Sequence, residues 1–181
     1  MKRDTIVYGV DPDGTIADNA QLIIAARVHE LIECEGCVRH PEQVVELHRM
    51  RIAAKRLRYT LEIFEPALGK AVSGAIQAMK EVQELLGAIH DLDVLTPLLV
   101  DELRRVLRPG EQAETWQSVD YAGAVGLASL CRRKHAQRRS LHRQFVRAWR
   151  QLRKTGVLDE LCGGETTRPA QEVSHALVSQ V

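Results

Sequence analysis

The chain has 181 residues, enough for one domain with its own core and too few for several. Aromatic residues make up only 4% of it while Ala, Leu, Arg and Glu abound, a balance that favours helices over sheets. Its longest apolar runs fall far short of the ~20 residues that cross a bilayer, and no secretory apolar segment follows Lys2 and Arg3, so a cytoplasmic protein is expected.

The chain begins with a lead-in over residues 1–15 that contains a strand-like run and then Asp11-Pro12-Asp13-Gly14-Thr15. These five residues resemble the nucleophile loop of haloacid-dehalogenase-type phosphatases, which needs a parallel sheet behind it. No later apolar strand supplies one, so the same letters read as a turn and a helix start, with Asp13 or Thr15 as cap and Asp18 in the first turn. A first helix is expected from about Ile16 to Glu33, ended by Gly36. Cys34, Cys37 and His40 have a metal-like spacing, but no second Cys pair completes a four-ligand zinc site, and four unevenly placed cysteines do not form a disulfide framework.

Pro41 suits the first turn of a second helix, expected to run to Glu65 before Pro66, with Leu47, Met50, Ala54, Leu57, Leu61 and Phe64 as its apolar stripe. A third helix is expected over Lys70–Leu107, kinked or split by Pro97. After the break at Pro109-Gly110, a fourth should cover Ala113–Lys154, leaving residues 155–181 as a mobile tail. The fold class that follows is all-α: an antiparallel four-helix bundle of long helices over residues 16–154.

The near-neutral net charge of +1 hides segregation. Residues 49–58 and 131–154 are rich in Arg and Lys and contain no acid, so each block attracts polyanions locally. In the second helix His48, Arg51, Lys55 and Arg58 follow one another at steps of three and four, on one face beside the apolar stripe. Arg56 belongs to the same block. In the fourth helix Lys134 and Arg138 interrupt the apolar stripe, which is costly unless a counter-ion or a wet cleft receives them. A basic cleft between the second and fourth helices accommodates both observations. In the third helix His90, Asp91 and Asp93 do not form a single metal site, because Asp91 and Asp93 project about 160° apart. One of these two aspartates is expected to orient an arginine of the second helix.

The segments His48-x-x-Arg51-Ile52-x-x-Lys55-Arg56-Leu57-Arg58-Tyr59 and Leu86-Gly87-x-x-His90-Asp91-x-Asp93-Val94 resemble the CHAD family, named for a conserved histidine α-helical domain. The resemblance spans roughly residues 16–154. It implies binding of inorganic polyphosphate through a basic, histidine-containing surface, and association with polyphosphate granules. Anion-binding roles pass to His48, Arg51, Lys55 and Arg58, and less directly to Arg56 and His90. Lys134 and Arg138 rest on the helix-face argument. The usual family domain is a pair of four-helix bundles, and this chain has helices for one half of it, so a homodimer is expected to restore the pair.

Such a protein binds without catalysing and requires no cofactor or metal. Nucleic-acid binding shares the electrostatics, but it calls for stacking aromatics, and Tyr59 is the lone aromatic in the first basic block. A further alternative is an accessory module to an enzyme that processes triphosphate or polyphosphate.

Overall fold

The computed structural model describes residues 9–108 and 121–163. Within them the chain forms α1 (Ile16–Glu33), α2 (Val44–Leu68), α3 (Ser73–Leu107), α4 (Tyr121–Thr155) and α5 (Val157–Leu161), with 3-10 turns at Glu35–Cys37 and Gly69–Val72. No strand occurs among the described residues. The fold is an all-α helical bundle.

The segment from Asp11 to Thr15 is a turn and a cap. The Asp11 carboxylate accepts the Asp13 N–H at 3.0 Å, and the Thr15 hydroxyl oxygen accepts the Asp18 N–H at 3.2 Å, satisfying one orphan donor at the start of α1. Asn19 clamps Asp11 from the helix, accepting from its N–H at 2.9 Å and donating to its carbonyl at 2.7 Å.

Each long helix buries one stripe. Ala20, Ile24, Val28 and Leu31 of α1 meet Leu47, Met50, Ala54, Leu57 and Leu61 of α2. Met79, Val82, Leu86 and Ile89 of α3 and Phe145, Trp149 and Leu152 of α4 complete the core. Successive helices pack on one another, α1 on α2, α2 on α3 and α3 on α4, while α5 bridges α1, α3 and α4.

Three boundaries differ from the sequence expectation, among them the start of α3 at Ser73 rather than Lys70, after the 3-10 turn at Gly69–Val72. α2 starts at Val44 rather than Pro41, because residues 41 and 42 form a turn. It also runs through Pro66 to Leu68. A proline in the last turn removes one hydrogen bond only, and the Gly69 N–H still closes the helix on the Glu65 carbonyl. Pro97 does not split α3, which continues as one helix of 35 residues.

Residues 155–163 are likewise built into the bundle: Gly156 takes the left-handed conformation (φ 72°) that turns the chain, and α5 buries Leu158 to 1% exposure. The break at Pro109-Gly110, the expected helical residues 113–120 and the tail beyond residue 163 lie outside the described residues.

Helix lengths set the shape. At about 1.5 Å per residue the 35-residue α3 and α4 extend roughly 52 Å, against about 27 Å for the 18-residue α1. The distal ends of α3 and α4 therefore carry exposed apolar residues, among them Leu98 and Val125.

Candidate functional site

The candidate site is the seam between α2 and α3. These helices run antiparallel, so that His48 lies beside His90, Arg51 beside Gly87 and Arg58 beside Gln83. The two imidazoles meet with ring centroids 4.4 Å apart and planes tilted by 39°. A Cβ on Gly87 would sit 3.8 Å from Arg51 Nε, so the missing side chain leaves the guanidinium room to lie against α3. Arg58 donates to Gln83 Oε1 at 2.8 Å and to Glu62 at 2.6 Å. Lys55 and Arg58 both lie over the Tyr59 ring, at 5.5 and 4.5 Å from its centroid.

Ion-pair partners separate these cations. Among the described residues neither Arg51 nor Lys55 has a carboxylate within salt-bridge distance. Arg51 Nε and His48 Nδ1 are buried without a hydrogen-bond partner. Burial, and after it the charges of His90 and Arg51, hold the His48 imidazole below its usual pKa. The seam thus presents positive charge, and among its described cations only Arg58 is ion-paired, to Glu62.

The other expected site residues lie elsewhere. Arg56 turns to α1, where it pairs with Glu30. Arg138 is consumed by a bidentate pair with Asp93 and donates to the Pro41 carbonyl at 2.8 Å. Its side chain is 12% exposed and that of Asp93 9%. The expected cleft between α2 and α4 is replaced by packing of both helices on α3. The aspartate expected to orient an arginine of α2 instead takes one from α4. Lys134 is half-buried, its amine 3.4 Å from Gln137, and it does not join the seam.

A groove of about 780 Å³ lies over the Asp93–Arg138 pair, lined by Val44, Pro97, Val100 and residues of both charges. It does not belong to the basic seam.

The basic block 131–154, in which only Lys134 and Arg138 are expected site residues, also carries a second track. Arg139, Arg143, Arg147 and Arg150 are exposed at steps of three and four along α4, a helix without a single acid. The signal was their spacing on the side opposite Cys131, Phe145 and Trp149.

The family model of the CHAD domain matches residues 11–100. The chain belongs to the CHAD family. The match holds α1, α2 and most of α3, and with them every residue of the seam, whereas α4 lies beyond it. No curated protein and no solved structure matches the chain. CHAD domains are associated with proteins of polyphosphate and triphosphate metabolism, which makes a phosphate polymer the first ligand to weigh against the seam.

Proposed function

We propose that this CHAD protein binds inorganic polyphosphate along the α2–α3 seam, without hydrolysing it, and associates with polyphosphate granules. The observation that carries the reading is the aligned row of His48, His90, Arg51, Lys55 and Arg58, in which Arg51 and Lys55 have no carboxylate partner among the described residues. Arg51 offers a planar fork to phosphate oxygens, Lys55 a mobile point charge and His48 a site that gains charge as pH falls. A flexible polyanion lying along the seam meets these groups in turn, at about 1.5 Å of rise per residue. No base-reading element is required, which favours polyphosphate over nucleic acid.

Asp93, the carboxylate nearest in sequence to His90 besides Asp91, is engaged by Arg138 and so poorly placed to hold a metal for hydrolysis. The exposed Val44, Val45, Val94 and Leu98, one turn or more beyond the two histidines on the same helices, support a homodimer that covers them.

The test is a titration with long-chain polyphosphate of the wild type, His48→Ala, and Arg51→Ala combined with Arg58→Ala, with RNA and DNA as competitors at matched charge. Both variants should bind at least about tenfold more weakly, a loss of roughly 1.4 kcal/mol or more. Unchanged affinity refutes the seam as the site, and preferential displacement by RNA or DNA transfers it to nucleic acid.

A further inference from the structure

Cys34, Cys37 and His40 have the spacing of metal ligands, and the structure regroups them. His40 is exposed and its Nδ1 lies 3.1 Å from Glu42, on the outside of the turn. In its place stands a third sulfur that the spacing did not announce. Met50 of α2 is fully buried, and its Sδ lies 3.8 Å from Cys37 Sγ. Cys34 caps the end of α1, and the 3-10 turn that follows brings the backbones of the two cysteines together, with the Cys37 N–H donating to the Cys34 carbonyl at 3.1 Å. A pocket of about 210 Å³ is lined by Cys34 and Cys37 together with Glu33, Glu46 and Arg49.

We propose that Cys34, Cys37 and Met50 form a binding site for Cu(I), held in a plane by two thiolates and one thioether.

Three observations support this assignment. The first is spacing: with a metal–sulfur bond of about 2.3 Å, ligands at 120° stand about 4 Å apart. Cys37 Sγ and Met50 Sδ already stand 3.8 Å apart. The second is access. The Cys34 thiol makes only a weak contact with the Glu30 carbonyl at 3.5 Å, so little is lost when it turns to a metal, and Cys34 and Cys37 both line the pocket, with Met50 buried behind Cys37.

The third is ligand chemistry. Two thiolates and a thioether are soft donors that select Cu(I), whereas zinc asks for four ligands and His40 is turned to Glu42. Among the described residues no cluster of three or more His, Cys, Asp or Glu side chains offers a harder ion a site.

The proton balance follows from the ligands. Burial pushes the Cys37 thiol up to about 11 and raises that of Cys34, so both are protonated near neutral pH. Each Cu(I) therefore displaces two protons and leaves a net charge of −1 on the site, which is faced by Glu33 and by the Arg49–Glu46 ion pair.

The experiment is anaerobic transfer of Cu(I) from its bicinchoninate complex to the reduced full chain, with X-ray absorption to count sulfur neighbours. One Cu(I) per chain with three sulfurs is expected. Cys34→Ser with Cys37→Ser should abolish the transfer, and Cys131→Ser with Cys162→Ser should leave it intact. Met50→Leu, which conserves volume and keeps the core, should take up Cu(I) more weakly and with two sulfurs only. No transfer to the wild type, retention by the Cys34/Cys37 variant, or a wild-type sulfur count that Met50→Leu does not lower would each overturn the site. Circular dichroism of every variant separates loss of the ligands from loss of the fold.

Discussion

Asp93→Asn separates the cations that hold this bundle together from those that face a ligand. The Asp93–Arg138 pair is bidentate, and its side chains are only 9% and 12% exposed. Removing one member of a buried pair leaves the other charge uncompensated, which typically costs about 3–5 kcal/mol. Arg138 keeps its bond to the Pro41 carbonyl at 2.8 Å and Asn retains an acceptor oxygen, so the loss should fall near the lower end, at about 3 kcal/mol.

For a domain of this size each kcal/mol moves the midpoint by roughly 2–4 °C, which gives a fall of about 6–12 °C in thermal unfolding. Arg138→Gln should cost a similar amount, and the double variant less than the sum. Polyphosphate affinity should be unaffected in both, provided binding is measured well below the lowered midpoint. A loss under about 1 kcal/mol would refute the pair as a structural device. Weakened binding as large as that of Arg51→Ala would return Arg138 to the ligand surface.

Polyphosphate binding should tighten as pH falls below about 6.5, with proton uptake on binding in calorimetry, because a bound polyanion restores the His48 charge that burial, His90 and Arg51 suppress. The free fold should respond in the opposite sense: with the folded pKa of His48 below its unfolded value, stability is present above about 6.5 and lost as pH falls through the lowered pKa, and His48→Ala should flatten both profiles. Plotted against log salt concentration, log affinity should become shallower by about 0.7 for Arg51→Ala and again for Lys55→Ala, whereas Arg56→Ala, whose guanidinium serves Glu30, should leave the slope unchanged. Gly87→Ala adds a methyl at ordinary contact distance from Arg51, so urea unfolding should show a gain of about 0.5–1 kcal/mol, while the larger Gly87→Leu should displace Arg51 and weaken binding.

The bounds of α1, the end of α3 at Leu107 and the buried stripe of α2 were legible in the sequence, because each rests on signals within one element. So was the row from His48 to Arg58. Pairings between elements were not. That Arg138 would take Asp93, and that Arg56 would turn to Glu30, depends on how helices are rotated against one another, about which spacing along a single helix says nothing. The cost of placing Arg138 on an apolar stripe was visible, but the identity of its counter-ion was not. α5 was missed because five residues are too few to show a period, and Pro66 does not stop α2 because one lost hydrogen bond is small beside the core that α2 buries.

Gly87 has a further consequence for the speed and cost of ligand capture. An arginine on an open surface samples many rotamers, and freezing it against a phosphate costs about 0.5–1.5 kcal/mol of side-chain entropy. Arg51, its Nε buried against the gap at Gly87, has already surrendered much of that freedom when the chain folds. Lys55 has not. A polyanion arriving at the seam meets one rigid cradle and one searching tether, so the first phosphate should lodge at Arg51 and the chain should then feed along α2 towards Arg58.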